Sequence, residues 1–595
     1  MTAMWRDLIE TRINELHVSD EDKVVELSEA VRRFVRPGMK INPCALQARP
    51  SAVLYELCRQ FAGKQPEFEY IASSIGNMSL SLVHLGLLKK TIVSFAGEGY
   101  PTPGPSPVIH RALDRGDLEV ENWTMLTISQ RLLAGAMGVP FLPTRSLAGS
   151  TIGAELAEAG NYVEMADPTN PDETFGMLRA YRPDISFVHA WAADRSGNAI
   201  SFPPYGENIY GALGAREGVI VTADHIVQTE FIRKHANLVR IPAAVVRSVS
   251  HVPFGSHPAG NFSRNIPEFA PYGNDYAFIR ECRRATKQED TFTAWIKEWI
   301  LDLKDHAEYV KKLGEERIKH LHFVAESDSW RKEIEDFEDE LSDPRPPNPI
   351  EKMIVHASRA AADRIGERGY KTVLSGIGQA TLMAWLAAHR LRDEGAEIVL
   401  MAETGVYGHD PRPADPFVFN FRNLPTTTVL TDIFETLGLH TGGAGNACLG
   451  TIGAAQVDRY GNINSTRIEN GMFIVGSGGA NDIATASQET IVVAQQRRWM
   501  FVDRVAYITC PGKKINIVVS TMGRFEKRGG DELILTGYFG SDGLDKESAI
   551  RDIKDRCGWD LKVSDDIEEL SPPTNEEIAL LRLFDPERFF LGKST

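Results

Sequence analysis

One five-residue motif occurs twice in this chain, and its copies hold the same place in two similar series of elements. Asp-Arg-x-Gly-Asn spans residues 194–198 and again residues 458–462, and each copy follows an apolar stretch, 185–193 and 449–457. The motif is typical of a tight turn with Gly or Asn at positive φ between two strands of a hairpin. One short match could arise by chance. The match gains weight because the helices and strands predicted before each copy occur in the same order. We therefore predict two related halves.

The elements before each motif follow the same sequence of periodicities. A helix, a short apolar strand, a second helix and a second strand are predicted in turn, at 24–35, 38–41, 52–61 and 68–72 and again at 350–365, 369–374, 380–391 and 398–402. Alternation of strand and helix predicts a mostly parallel sheet covered by helices. We therefore predict an α/β protein of two related open domains. Two doubly wound domains that share an element order by chance are the alternative.

The clearest boundary lies near the middle of the chain. Residues 333–340 are acidic, and residues 343–349 contain four prolines, which exclude a helix interior or a central strand. The predicted division is a first domain at 1–332, a linker at 333–349 and a second domain at 350–595. We interpret the acidic run as a solvated helix end or part of the linker.

Composition excludes several classes of function. A chain of 595 residues is too long for one core, and its net charge of −16 argues against nucleic acid or an anionic membrane as the main partner. The N-terminal residues lack the apolar segment of a signal peptide, and no apolar run approaches the ~20 residues that span a bilayer. The six cysteines contain no Cys-x-x-Cys and the histidines are scattered. We expect a cytoplasmic protein with reduced thiols and no metal site.

Two segments of the second half suggest acyl-transfer chemistry. An apolar run ends in Glu403-Thr404-Gly405, and Gly-Ser-Gly-Gly-Ala follows another apolar run at 476–480. A carboxylate at the end of a strand can attack a carbonyl, and the free N–H groups of a glycine loop can hold the oxyanion. Ser73-Ser74 stands at the matching place in the first half, so only one half retains the carboxylate. The alternatives are an acid at a helix N-terminus and a plain glycine turn.

Other residues are candidates for the walls of the same site. Gly376, Gly378 and Gln379 follow the first strand of the second half, where ligands bind in open α/β sheets. Ser73 and Ser74 could line the pocket from the first half. Ordinary strand-to-helix packing and a helix N-cap are the competing interpretations.

With these features the chain resembles the class I CoA-transferases, closest to glutaconate CoA-transferase with its α and β subunits fused. Residues 254–258 and 298–309 of the first half resemble the α subunit, and residues 458–466, 476–484 and 501–512 of the second half resemble the β subunit. The first half departs from the family at 41–45, where paired glycines are usual, and at 73–76. The resemblance implies a NagB–RpiA-like fold with the active site between the two domains.

The resemblance also assigns roles to residues. Glu403 falls on the catalytic glutamate of a Glu-x-Gly turn, while Gly405, Gly476, Gly478, Gly479 and Ala480 fall on positions that bind the oxyanion or CoA. The implied activity moves CoA between an acyl-CoA and a small carboxylic acid by a ping-pong mechanism through a glutamyl-CoA thioester. CoA is then a substrate, no cofactor is tightly bound, and a homodimer of fused chains is expected.

Two other functions remain open at this point. Some relatives keep the fold and hydrolyse a CoA-linked ring or carbon–carbon bond; they lack the glutamate, so Glu403 argues against this function. A non-catalytic protein that binds acyl-CoA or a sugar phosphate is the other alternative, because the site and not the fold decides the function.

Overall fold

The computed structural model describes residues 4–44, 47–263, 266–342, 344–540 and 545–592, without the side chains of 171–173. Ala45 in the divergent segment 41–45 and Asp343 in the linker lie outside the described residues. None of the helices in these ranges is both long enough and apolar enough to cross a bilayer.

The first half is built on a largely parallel sheet. Its strands are β1 (Lys40–Pro43), β2 (Phe68–Ile71), β3 (Ser74–Ile75), β4 (Leu88–Val93), β5 (Phe95–Ala96), β6 (Glu119–Asn122), β7 (Phe141–Thr144), β8 (Tyr162–Asp167), β9 (Asn170–Arg179), β10 (Ile185–Asp194), β11 (Ala199–Ile200), β12 (Val219–Val227), β13 (Val239–Ile241) and β14 (Val246–His251). Parallel pairing runs in the order β14-β12-β10-β1-β2-β4-β6. Every residue of β10 is buried, as expected for a strand covered on both faces.

The second half contains a second large sheet. Its strands are β15 (Thr372–Ser375), β16 (Val399–Ala402), β17 (Val406–Tyr407), β18 (Val429–Leu430), β19 (Cys448–Gly453), β20 (Gln456–Asp458), β21 (Ile463–Asn464), β22 (Glu489–Ala494), β23 (Phe501–Val502), β24 (Ile515–Ser520), β25 (Gly523–Lys527), β26 (Leu533–Phe539) and β27 (Val563–Leu570). A parallel run in the order β24-β22-β19-β15-β16 is extended by β25, β26 and β27 at one edge and by β17 and β18 at the other.

The two sheets share a strand order, as the repeated pattern predicts. β14-β12-β10-β1-β2 corresponds element by element to β24-β22-β19-β15-β16. The repeated motif forms the same turn twice: Asp194 N–H donates to the Asn198 carbonyl at 3.0 Å, and Asp458 N–H donates to the Asn462 carbonyl at 3.1 Å. In both turns the motif glycine has positive φ, +109° and +75°. The predicted α/β class and the predicted turns are therefore confirmed.

Twenty α-helices lie within the described residues, and several of them pack against the two sheets. They are α1 (Met4–Leu8), α2 (Leu27–Phe34), α3 (Ser51–Phe61), α4 (Leu80–His84), α5 (Pro107–Arg115), α6 (Met125–Met137), α7 (Thr151–Glu158), α8 (Tyr210–Gly214), α9 (Thr229–Lys234), α10 (Tyr276–Thr286), α11 (Glu289–Ile296), α12 (His306–Leu313), α13 (Glu315–Val324), α14 (Ser329–Glu335), α15 (Glu338–Ser342), α16 (Pro349–Arg368), α17 (Gln379–Asp393), α18 (Ala480–Ala486), α19 (Lys546–Asp555) and α20 (Asn575–Phe584). In α16, the Asn348 side chain caps the first turn and Gly369 ends the helix at φ +69°.

The segment between the halves is partly helical. Residues 333–335 complete α14 and residues 338–342 form α15, so the acidic run is mostly helical. Glu333 is half-buried and forms an ion pair with Arg422 of the second half. Pro349 is the first residue of α16. A backbone N–H group at this position has no acceptor within the helix, so proline, which has no N–H group, is tolerated there. Glu333 thus contacts the second half, whereas the other acids of the run are exposed, as expected for a solvated helix end: Glu335, Asp336, Glu338, Asp339 and Glu340.

Candidate active site

Glu403 follows β16 directly, at the carboxyl end of a parallel strand. The turn after it closes tightly: Gly405 N–H donates to the Ala402 carbonyl at 3.3 Å, and Thr431 N–H donates to the Gly405 carbonyl at 2.7 Å. Gly405 has φ +110°, and a Cβ there would overlap the backbone of Thr431. The Glu-x-Gly pattern thus allows the chain to turn at once after the carboxylate, and the Gly405 N–H group is used within that turn.

The first half holds this turn from the other side. Gly206 N–H donates to the Thr404 carbonyl at 3.2 Å, and Tyr205 N–H donates to the Thr431 carbonyl at 2.7 Å. Ile433 N–H in turn donates to the Gly206 carbonyl at 2.8 Å. These backbone bonds place the residue after Glu403 in direct contact with the first half.

The glycine loop is also bound to the first half. Phe95 and Gly476 form an antiparallel bridge, and Gly478 N–H donates to the Ser94 carbonyl at 2.9 Å. Gly476 N–H donates to the Ser465 carbonyl at 3.1 Å, and Ala480 N–H donates to the Ser477 carbonyl at 3.0 Å. Three of the N–H groups predicted to be available for an oxyanion therefore already have protein acceptors.

Two N–H groups of the loop remain unused. Within the described residues, those of Ser477 and Gly479 donate to no protein acceptor. Gly479 lies against Glu403 so closely that a Cβ at this position would overlap the carboxylate oxygen Oε2. The absence of a side chain at residue 479 is therefore a steric requirement of the carboxylate.

Glu403 is a buried carboxylate with no stabilising partner. Its exposed fraction is 5%, and in the described part of the chain its carboxylate accepts no hydrogen bond and forms no ion pair. Burial, with a smaller contribution from the negative charge of Asp482, raises the pKa of Glu403 to about 8. Burial of a charge without a partner is costly, and strongly shifted pKa values are concentrated at functional sites.

Asp482 connects the glycine loop to the first half. Its carboxylate accepts hydrogen bonds from Thr124 Oγ1 at 2.6 Å, Ser146 Oγ at 2.6 Å and Leu126 N–H at 3.0 Å. Burial raises the pKa of Asp482 to about 6, although these hydrogen bonds oppose the shift. No sequence pattern singled out Asp482, because an acid in the first turn of a helix is an ordinary feature.

Two cavities meet at Glu403. The smaller, of about 250 Å³, is lined by both halves, and the larger, of about 1040 Å³, is lined mainly by the second half. Both are lined by five common residues: Phe95, Pro103, Ile377, Glu403 and Gly478. The structure thus places the carboxylate where two separate ligands could approach it.

The remaining predicted residues are divided between the cavities. Ser73 and Ser74 line the smaller one, and Gly376, Gly378, Gln379 and residues 476–480 line the larger one. Gln379 also binds the protein, because its Nε2 donates to the Phe590 carbonyl at 3.1 Å. Ser73 is held in place by its N–H group, which donates to the Glu207 carboxylate at 2.5 Å.

Sequence reasoning placed no cation in the site, and the structure places one. Arg49 lines the smaller cavity together with Glu403. Its position just before α3 follows no pattern of spacing that would have singled it out. No group of three His, Cys, Asp or Glu side chains that could hold a metal is found among the residues for which coordinates are described.

Comparison with known proteins agrees with this architecture. A family model described as coenzyme A transferase matches residues 24–251. One subunit of the 3-oxoadipate CoA-transferase of Pseudomonas knackmussii is 28% identical over 300 residues, 49% of this chain and 99% of the relative. The other subunit of the same enzyme is 28% identical over 209 residues, 32% of this chain and 78% of the relative.

Further matches include one subunit of the glutaconate CoA-transferase of Acidaminococcus fermentans, 26% identical over 317 residues, 51% of this chain and 95% of the relative. The crystal structure of an acyl-CoA transferase from E. coli O157:H7, a thioester complex with CoA, has a TM-score of 0.63. At 15% identity, over 95% of this chain and 96% of that one, it shows a common fold.

The first half of the chain matches the coenzyme A transferase family model, and both halves are similar to subunits of CoA-transferases, which are transferases of sulfur-containing groups. The protein is a single chain that joins regions similar to the two separate subunits of such an enzyme. This similarity supports CoA transfer as the activity, with acyl-CoA and carboxylic acids as fitting substrates.

Proposed function

We propose that this enzyme transfers CoA between an acyl-CoA and a carboxylic acid through a thioester on Glu403. The observation that carries the proposal is the position of a buried, unpartnered carboxylate where two cavities meet. In this proposal the larger cavity accommodates the CoA arm and the smaller one accommodates the acyl group or free acid. The domain division at 333–349 belongs to the same proposal.

The reaction begins with attack by the Glu403 carboxylate on the thioester carbonyl. The tetrahedral intermediate collapses with loss of CoA thiolate, which leaves an anhydride between the acyl group and Glu403. The thiolate then attacks the glutamyl carbonyl, releasing the donor acid as a carboxylate and forming the glutamyl-CoA thioester. An acceptor carboxylate reverses these steps, and no water or redox partner is consumed.

Charge changes in the first step suit this environment. The negative charge leaves the side chain of Glu403 and appears on the thioester oxygen, so the cost of burying the carboxylate is relieved as the reaction proceeds. The raised pKa also makes the ionised carboxylate a stronger nucleophile. We assign the N–H groups of Ser477 and Gly479 to the oxyanion, because these two have no protein acceptor within the described residues.

Mass spectrometry tests the proposal. Wild-type enzyme incubated with an acyl-CoA and no acceptor should gain a CoA adduct, and borohydride or hydroxylamine should convert Glu403 to an alcohol or a hydroxamate. Glu403→Ala should form no adduct and lose exchange. Glu403→Asp should be slower by about 10²-fold, since its carboxylate is withdrawn by roughly 1 Å.

Glu489→Gln serves as a matched control. Glu489 is also buried, but it is paired with Arg364 at 2.8 Å and lines neither of the two cavities. This variant should retain the adduct. Folded Glu403→Ala protein that consumes a CoA thioester at the wild-type rate, with no adduct on the wild type, would contradict the proposal and favour hydrolysis by water.

A further inference from the structure

We propose that Arg283 is a positioning residue that holds residues 97–105 as a wall between the two cavities, and that this wall limits the length of the acid that the enzyme accepts. We call residues 97–105 the dividing loop. The inference rests on the proposed division of CoA and acid between the cavities. It assigns a role to an arginine that lines neither of them.

The dividing loop contributes to both cavities. Residues 99–100 line the smaller cavity, residues 104–105 line the larger one, and Pro103 lines both. Glu403 also lines both cavities, so the loop and the reacting carboxylate border the same two spaces. The loop therefore separates the space proposed for the acid from the space proposed for the CoA arm.

The base of the dividing loop is closed by backbone hydrogen bonds. Glu98 N–H donates to the Gly104 carbonyl at 2.9 Å, and Gly104 N–H donates to the Glu98 carbonyl at 3.0 Å. A Cβ at Gly97 would lie 2.6 Å from the Gly104 carbonyl oxygen, so the two sides of the loop are in contact. The Glu98 carboxylate is buried and accepts a hydrogen bond from Thr286 Oγ1 at 2.9 Å, which fastens the base to α10.

The tip of the loop is held by one side chain. Arg283 is half-buried in the last turn of α10, and its Nη1 donates to the Tyr100 carbonyl at 2.8 Å and to the Thr102 carbonyl at 2.7 Å. Neither carbonyl accepts another hydrogen bond in the part of the chain that the structure describes. Prolines at 101, 103 and 105 have no N–H group, so the tip has few backbone donors of its own. Because hydrogen bonds from a charged donor are roughly twice as strong as neutral ones, Arg283 is the main anchor of the tip.

Tyr100 connects the tip to the aromatic wall of the smaller cavity. Its ring stacks on Tyr276 with centroids 4.0 Å apart and meets Phe417 edge-on at 5.4 Å, and all three side chains line that cavity. Its hydroxyl group donates to Asp415 Oδ2 of the second half at 3.3 Å. A displacement of the tip therefore moves a large side chain that the acid meets, in addition to the backbone.

A wall that does not move sets an upper limit on the length of the acid. The smaller cavity has a volume of about 250 Å³, and one methylene group more or less in such a pocket changes kcat/KM by ~10- to 200-fold. Loss of Arg283 leaves two loop carbonyls without their partner, and the tip can then shift towards the larger cavity of about 1040 Å³. The limit should relax for long acids, while a short acid that does not reach the wall is unaffected.

Kinetics on acyl-CoA thioesters of increasing length test the inference. The series from butyryl- to decanoyl-CoA and from succinyl- to sebacoyl-CoA are measured for wild type, Arg283→Gln and Arg283→Lys. In wild type, kcat/KM should fall by at least ~10-fold at the first chain that exceeds the cavity. Arg283→Gln should raise the ratio of long-chain to short-chain kcat/KM by about 10-fold and change the short-chain value by less than about threefold. Arg283→Lys should restore part of the limit, because it keeps the charge but has no planar fork.

Arg284→Gln is the matched control, because Arg284 is the next residue of α10, is exposed and lines neither cavity. It should keep the wild-type dependence on chain length. Pro103→Gly is a second variant, which keeps Arg283 but removes a side chain from the shared wall, and it should relax the limit in the same direction.

Thermal stabilisation by the free acids of each length measures binding separately from turnover. An equal loss at every length in Arg283→Gln, or an unchanged dependence on length in folded Arg283→Gln and Pro103→Gly, would overturn the inference. A wild-type enzyme with no limit in either assay would also overturn it. Absence of any CoA adduct while the limit persists in thermal stabilisation would instead contradict only the role of Glu403.

Discussion

Replacing Glu403 by glutamine should stabilise the fold at alkaline pH. The pKa of Glu403 rises from 4.5 to about 8 on burial, so between these values the folded chain binds more protons than the unfolded chain. The free energy of unfolding then falls as pH rises through this window. The ~3.5-unit shift corresponds to ~5 kcal/mol above pH ~8 and to nothing below pH ~4.5, at ~1.4 kcal/mol per unit. Glutamine keeps the size of the side chain and removes the charge.

Thermal unfolding measured from pH 4.5 to pH 9 checks this expectation. An unfolding entropy of ~2.1 cal/mol/K per residue gives ~1.2 kcal/mol/K for a chain of 595 residues. The expected gain in Tm for Glu403→Gln is therefore ~4 °C at pH 9, and it should vanish towards pH 4.5. Circular dichroism and differential scanning calorimetry both report this difference.

Glu351 provides the opposite control. It is fully buried, and although burial raises the pKa of Glu351, the hydrogen bonds from Arg582 at 2.8 Å and Arg588 at 3.1 Å hold it below its ordinary value. Its stabilisation is present above pH ~4.5 and is lost as pH falls through the lower folded-state pKa. Glu351→Gln should therefore lower Tm at pH 9. A Tm for Glu403→Gln that is lower than wild type at pH 9, or shifted equally at every pH, would refute the reasoning.

Three further substitutions address the glycine loop and the charge near Glu403. Gly479→Ala should reduce exchange by at least ~10²-fold, because its Cβ would displace the Glu403 carboxylate. A Cβ at residue 478 would meet no atom within 4 Å, but the backbone there has φ +54°. Gly478→Ala should therefore mainly lower the free energy of unfolding, by ~1 kcal/mol. Assays of exchange and of Tm for both variants check the contrast, which equal losses of exchange would contradict. Asp482→Asn removes a charge that raises the pKa of Glu403, so the rate of adduct formation should begin to rise at lower pH than in wild type. An unchanged pH profile in folded protein would contradict this coupling.

The element order was predictable because it depends on local periodicity. Each predicted helix and strand before the two motifs is present within a few residues, from α2 and β1 to α17 and β16. The turns at 194–198 and 458–462 follow from their Asp, Gly and Asn residues alone. These features are encoded over a few residues, and no knowledge of distant contacts is needed to recognise them.

The finer properties of the site depend on partners far away in the chain. The N–H groups of the glycine loop looked equivalent in sequence, but Gly478 is bound by Ser94, 384 positions earlier, and this pairing has no local signal. Arg49 could not be assigned to the cavity for the same reason. Glu333 looked like a solvated linker residue, because its ion pair with Arg422 is formed only when the second half folds.

Because two cavities meet at the Glu403 carboxylate, CoA and the free acid could reach it by separate routes. In the proposed mechanism, the pantetheine arm of CoA attached to Glu403 would occupy the larger cavity, and an incoming acid would enter through the smaller one. Water must use that same smaller route to hydrolyse the thioester. The aromatic wall of the smaller cavity, which includes Tyr100 stacked on Tyr276 at 4.0 Å, would then determine how readily water reaches the proposed thioester and hydrolyses it before an acid arrives.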